Sequence, residues 1–324
     1  MIHTPVCELL EIEHPIAIGG MGSIFSPDLV ASVSNAGGLG ALGCHNLNTT
    51  QIHDAVTTIR ALTKNVFALN FLIFDIEEEC FETALEEKPA IMAFAWPYAH
   101  QNIKSFIDRA HNAGCKVTFM VNGLPEAVKA ADSGADVIIA QGTEGGGHVG
   151  WISTMCLVPM VVDAVAPIPV LAAGGFADGR GLAAALSLGA DGVLMGTRFL
   201  ASKESPLHKN FKQAILDTDG HNTMLTEIPD LAAGKIWPGA MSRAYRNQFI
   251  ERWAGREWEI RQKRDEIFET VKEARISGNI DEAPLSMGQD SGLIKDIPTA
   301  SEIVKRVAKE AEQIMRSVLP KILK

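Results

Sequence analysis

The chain is short of the features that mark several large protein classes. Its five cysteines (Cys7, Cys44, Cys80, Cys115 and Cys156) are scattered, with no Cys-x-x-Cys. Such a set argues against a disulfide framework or a zinc site and for reduced thiols. Basic residues are outnumbered, 29 Lys and Arg against 39 Asp and Glu, for a net charge of −10. No basic patch stands out to neutralise phosphates, so nucleic acid is not an expected partner. No apolar run reaches the roughly 18 residues that span a bilayer. The start, Met1-Ile2-His3-Thr4-Pro5, lacks the basic and apolar stretches of a signal peptide. Cys/His/carboxylate clusters at metal spacing, Gly-x-Ser-x-Gly and a Walker motif are also missing. A soluble cytoplasmic protein is expected, with no metal and no membrane partner.

What the sequence does have is a periodic alternation of short apolar runs and helical patterns. The strand-like runs are His14–Gly20, Leu39–Gly43, Val66–Leu72, Ala90–Trp96, Lys116–Val121, Asp136–Gln141, Pro169–Gly175 and Gly192–Thr197. Helical patterns separate them: Ser26 and Pro27 start one that ends near Asn35, and others span Thr50–Leu62, Ile76–Lys88, Ile103–His111, Pro125–Ser133, Thr154–Val165 and Asp178–Leu188. The runs are too continuously apolar for half-exposed strands and describe a parallel sheet buried on both faces. Eight strand–helix units predict a TIM (β/α)8 barrel; a doubly wound open sheet is the alternative.

After about Ser202 the texture changes. Phe249, Ile250, Trp253, Ile260, Ile267, Phe268 and Val271 sit among many charges and read as a largely exposed helical segment. Ala300–Leu319 is amphipathic, with Ile303, Val304, Val307, Ala311, Ile314 and Val318 inward. The expected organisation is a barrel over 1–204, a mostly helical insertion over 205–292, and a C-terminal segment over 293–324 that returns as the eighth barrel helix.

Barrel active sites lie at the C-terminal ends of the strands. Gln141–Gly150 there holds five glycines and one imidazole, a composition suited to a pocket wall and not to a regular element. Within it His148 is a candidate acid, base or hydrogen-bond donor, with His45 the next best placed histidine. Glu144 is expected to accept backbone N–H bonds and stabilise the loop, and Asp75, Glu77, Glu78 and Glu79 to form a solvated helix start. Gly174-Gly175 and Gly196-Thr197, after neighbouring strands, suit a phosphate. Asn70 and Gln141 are either satisfied core amides or the edge that meets a planar heterocycle.

Gly19-Gly20-Met21, Asn35–Leu39, Asn70-Phe71, Ala140–His148, Leu157-Val158-Pro159, Ala172–Gly181 and Met195–Phe199 together resemble the nitronate monooxygenases, formerly 2-nitropropane dioxygenases. The resemblance runs in order along nearly the whole chain. It implies a TIM barrel with non-covalent FMN lined by Gly20, Met21, Asn70, Gln141, Gly146, Gly174, Gly175, Gly196 and Thr197. His148 becomes the active-site histidine. The implied reaction is oxidation of alkyl nitronates with O2. Similar barrels are NAD(P)H-dependent enoyl-acyl-carrier-protein reductases, which Gly147–Met155 resembles, or NADH:quinone reductases. Met120 and Gln141 depart from the lysine and aspartate of the quinone reductases. Partners implied are thus a nitronate, enoyl thioester or quinone, with O2 or NAD(P)H, and a second copy of the chain in a homodimer. A flavin-free barrel isomerase or lyase binding a phosphorylated ligand is the alternative from another class. The scarcity of acid–base groups at strand ends disfavours it.

Overall fold

The structure is a computed structural model and describes residues 2–21 and 24–322; Met1, Gly22, Ser23, Leu323 and Lys324, within the expected barrel and C-terminal segments, lie outside it. Among the described residues eleven strands are defined: β1 (Ile16–Ile18), β2 (Gly40–Gly43), β3 (Phe67–Leu72), β4 (Ile91–Ala95), β5 (Lys116–Val121), β6 (Val137–Gln141), β7 (Gly147–Val149), β8 (Val170–Ala173), β9 (Gly192–Met195), β10 (Thr223–Thr226) and β11 (Met241–Tyr245). Eight of them form one parallel sheet in the order β1-β9-β8-β6-β5-β4-β3-β2. A parallel bridge from Ala17 to Leu39 joins its two edges. The sheet therefore nearly closes, and the fold is the expected TIM barrel and not an open sheet. Strands β1, β2, β4 and β8 are buried at every position, as a sheet covered on both faces requires.

Local chemistry sets the helix starts. Ser26 accepts from the Leu29 N–H at 3.1 Å with Pro27 behind it. Asn48 and Gln51 make a capping box that starts the next helix at Thr49, one residue before the sequence expectation. The helix Thr154–Val165 spans its expected range, while Ile76–Lys88 shortens to Glu78–Glu86. The helix Ala300–Gln313 begins at a Thr299–Glu302 capping box and packs on the helices Gly179–Ser187 and Pro27–Asn35. Ile303, Val304, Val307 and Ala311 are inward. The α-helix then gives way to a π-turn over Ile314–Val318, which leaves Val318 49% exposed instead of inward.

The segment between the barrel and that last helix differs from its sequence reading in two ways. First, its helices Gln248–Trp253, Glu257–Gln262 and Arg264–Ser277, mostly exposed as expected, bury a shared apolar face. Phe249, Ile250, Trp253, Ile260, Ile267 and Val271 are buried together with Ile228 in a second apolar core, and of that set only Phe268 stays exposed. Second, β10 and β11 run antiparallel to each other, and β11 pairs with β7. The glycine loop after β6 thus does form a short strand, because β11 supplies the hydrogen-bond partners that glycine's own propensity does not.

Candidate active site

The glycine loop is fastened from several sides. Arg243 Nε donates to the Thr143 carbonyl at 2.9 Å, and the Thr143 N–H donates to the Ile152 carbonyl at 2.9 Å. Glu144 accepts from the Thr154 N–H at 2.9 Å and from its hydroxyl at 2.8 Å, the stabilising role read for it in the sequence. At the start of the helix Thr154–Val165 this carboxylate also meets the positive end of the helix dipole. The Glu144 carbonyl accepts the Gln289 N–H at 2.9 Å. A Cβ on Gly146 would lie 2.5 Å from the Gly288 nitrogen, so backbone meets backbone there. Gly146→Ala is expected to push 287–288 off the loop and to lower stability by roughly 1–3 kcal/mol, as overpacking does. A melting curve matching that of the native chain would contradict this.

His148 sits in the middle of β7, opposite Ser242 of β11. Its Nε2 is 2.8 Å from Asp230 Oδ1, and both side chains are largely buried. One face of the imidazole is stacked on the Trp237 indole, with ring centroids 3.4 Å apart and planes within 2°. Trp96, at the end of β4, approaches edge-on at 6.5 Å. The carboxylate holds Nε2, and Nδ1 has no hydrogen-bond partner among the described residues, so Nδ1 is the nitrogen that could exchange a proton. The carboxylate fixes ring orientation, a second partner that catalytic histidines commonly use.

A second polar group borders the first. The Lys235 ammonium lies 2.7 Å from His45 Nε2, 3.1 Å from Asn46 Oδ1 and 3.0 Å from Asp75 Oδ2. Burial, followed by the Lys235 charge, holds His45 below its ordinary pKa. Asp75 is therefore not simply part of a solvated helix start. It ties the segment around Lys235 to the mouth of the barrel.

The other expected site residues line the same strand ends. Gly20 approaches Asn70 so closely that a Cβ would meet the Asn70 Cβ at 2.3 Å. Asn70 donates from Nδ2 to the Ala93 carbonyl at 3.2 Å, so half of its amide is used in the barrel wall. Met21 Sδ is 3.9 Å from a Cβ built on Gly196. Gly174 and Gly175 have φ of 93° and 87°, and Gly174 closes on the Gly142 carbonyl. Thr197 Oγ1 accepts the Gly288 N–H at 2.9 Å. Asp290, fully buried beside Thr197, is pushed up to about 7 by desolvation.

Three observations bear on a ligand. Gln141 Oε1 is buried without a partner among the described residues, an arrangement that costs free energy unless something donates to it. The N–H groups of Gly175, Gly196 and Thr197 donate to no backbone or side-chain acceptor among the described residues. Gly174 and Gly175 both take positive φ, and a Cβ on Gly174 would lie 2.6 Å from the Gly142 carbonyl, so the turn carrying the Gly175 N–H is restricted to glycine. An amide edge on one side and free N–H donors on the other fit a planar heterocycle that carries a phosphate.

Sequence reasoning did not single out Asp230, Lys235 or Trp237. None sits in a local motif: Asp230 is 82 residues from His148 in sequence and reaches it only through the β7–β11 pairing. An acid among the apolar residues Ile228, Pro229 and Leu231 at the start of a short helix is the one sequence signal that could have found it.

The sequence model of the nitronate monooxygenase family matches residues 3–90 and 80–310. A 5-hydroxy-7a-methyl-1-oxo-octahydro-1H-indene-4-carboxyl-CoA dehydrogenase of Mycobacterium tuberculosis is 33% identical, with 96% of each chain covered. A Staphylococcus aureus protein named "Probable nitronate monooxygenase" is 31% identical, covering 95% of this chain and 97% of its own. Among solved structures, FabK from Thermotoga maritima superposes with a TM-score of 0.88 at 33% identity, over 99% of this chain and 100% of its own. The chain belongs to the nitronate monooxygenase family and is an oxidoreductase.

Proposed function

From that membership we propose that the protein is an FMN-dependent oxidoreductase whose reaction moves a proton on or off the substrate's reacting carbon, and that the substrate is an acyl or enoyl thioester. Gln141 and Asn70 would meet the ring system of FMN, alongside Gly20, Met21 and Gly146. The N–H groups of Gly175, Gly196 and Thr197, next to Gly174, would hold its phosphate. Bound FMN supplies two-electron exchange at its ring, and the chain positions it and handles the proton. His148 moves the proton at the thioester α-carbon through Nδ1, while Asp230 keeps the imidazole in one tautomer and orientation. The stacked Trp237 and nearby Trp96 and Phe74 keep water from that face.

The observation that carries this is the His148–Asp230 pair at 2.8 Å. A nitronate arrives already deprotonated and needs no base, whereas redox across the α and β carbons of a thioester moves a proton at the α-carbon, off it in acyl oxidation and onto it in enoyl reduction. The carboxyl-CoA dehydrogenase relative favours the same substrate class. Nitronate oxidation with O2 is the second reading, favoured by the family description and the S. aureus relative. There His148 would serve as hydrogen-bond donor to the nitronate oxygens.

The purified protein is expected to release FMN on acid treatment and to turn over a saturated acyl-CoA or its enoyl-CoA counterpart with an added electron acceptor or NAD(P)H. Turnover of ethyl nitronate in air, with none of either thioester, would replace the first reading by the second. Asp230→Asn is expected to keep FMN and to lower turnover by roughly 10²-fold or more, since an amide favours the wrong imidazole tautomer. A kcat within a factor of two of the native value would remove Asp230 from the mechanism.

A further inference from the structure

We infer that Trp237 is the specificity-determining residue of the site, a rigid wall over one face of the His148 imidazole that limits how wide a substrate can be at the reacting carbon. This rests on the reading that His148 faces the substrate.

Four observations converge on it. The indole lies flat on the imidazole at 3.4 Å, which is van der Waals contact, so nothing can enter between the rings. Phe74 at 4.7 Å and Trp96, edge-on at 6.1 Å, also pack against the indole. The residue before it, Ile236, is 81% exposed, so the loop turns one large side chain out and the next one in. Two residues before Trp237, the Lys235 ammonium is tied to Asp75, His45 and Asn46, all near the C-terminal ends of β2 and β3. A loop fastened in that way presents a fixed surface and not a freely swinging one.

The indole nitrogen tells what the ring is there for. Trp237 Nε1 is buried with no hydrogen-bond acceptor among the described residues. A buried unpaired N–H destabilises, so the ring is kept in place by stacking and bulk and not by its polar end. A phenyl ring should hold the wall, and a small side chain should remove it.

The test uses the FMN-loaded full-length protein and its Trp237→Phe, Trp237→Leu and Trp237→Ala variants. Turnover is compared for a straight-chain acyl-CoA (butyryl-CoA) and a ring acyl-CoA (cyclohexanecarboxyl-CoA). In the Leu and Ala variants the ratio of kcat/KM, ring over straight chain, should rise at least tenfold, while Trp237→Phe stays within about twofold of native. Both substrates changing by one common factor would reduce Trp237 to a structural role and overturn the inference. A second readout does not depend on the substrate class. Carbethoxylation of His148 by diethyl pyrocarbonate, followed by peptide mass spectrometry, should be about tenfold faster in Trp237→Ala than in the native chain or Trp237→Phe. An unchanged rate would overturn the wall even if the thioesters are substrates. A raised rate with no thioester turnover would instead fault the proposed substrate and leave the wall standing. Trp237→Leu serves both assays if the alanine variant does not fold.

Discussion

His148→Ala is expected to purify with FMN bound and to lose about 10²–10⁴-fold in kcat/KM, the range that a positioned general acid or base contributes. The residue does not hold the cofactor in the proposed arrangement. The groups assigned to that task lie on the strand ends and on the Gly174-Gly175 and Gly196-Thr197 turns. The ring also contributes little to the fold beyond its contacts with Asp230 and Trp237. Cofactor content should therefore stay near one FMN per chain while activity falls, and the two readouts together separate a chemical role from a structural one. Activity that survives at the native level would mean that proton transfer is carried by another group, and loss of FMN alongside activity would mean that the loop has collapsed.

Asp290→Asn should change stability with pH more than any other single substitution at the site. The carboxyl is fully buried, and desolvation lifts it from an ordinary 3.8 to about 7 against the Thr197 hydroxyl and the Arg198 charge. Arg198 cannot offset this fully, because its guanidinium is engaged by Asp296 at 2.9 Å and by the Ala201 carbonyl at 2.9 Å. Between those two pH values the folded chain keeps a proton that the unfolded chain releases. The contribution of Asp290 is thus complete below about pH 4, declines as pH rises, and is lost once pH passes about 7. Three pKa units correspond to a ceiling of about 4 kcal/mol. The asparagine variant should match the native protein in denaturant near pH 4 and exceed it by a few kcal/mol at pH 8. Equal pH profiles for the two proteins would show that Asp290 ionises at no cost. Because Asp290 touches Thr197, the native protein should also release FMN more readily above pH 7, and the variant should not.

The barrel was legible because its strands are buried on both faces and so read as continuous apolar runs, of which Val137–Ala140 and Val170–Ala173 are the plainest. Glycines and amides at the ends of such runs stood out for the same reason: Gly174-Gly175, Asn70 and Gln141 interrupt an apolar pattern at the depth where barrels bind ligands. His148 was legible from its glycine-rich setting. Its partners were not. Asp230 and Trp237 lie in a segment whose placement depends on β7 pairing with β11, a contact across about ninety residues that no local periodicity encodes. Glycine's low strand propensity even pointed the other way, yet a ladder partner overrode it at Gly147–Val149. The second core went unread for a related reason. Phe249, Ile250, Trp253, Ile260 and Ile267 come from three helices, two of them only six residues long, whose few apolar positions are spread among many charges.

The most direct measurement is an anaerobic titration of the purified protein with butyryl-CoA, following the visible flavin absorption. A bound FMN that bleaches in proportion to added thioester in the native protein, and fails to bleach in His148→Ala, is the predicted result. A protein that neither carries FMN nor takes it up when mixed with it would contradict the proposed chemistry at its root. An FMN that ignores the thioester and bleaches with ethyl nitronate would keep the cofactor and move the substrate to the nitronates.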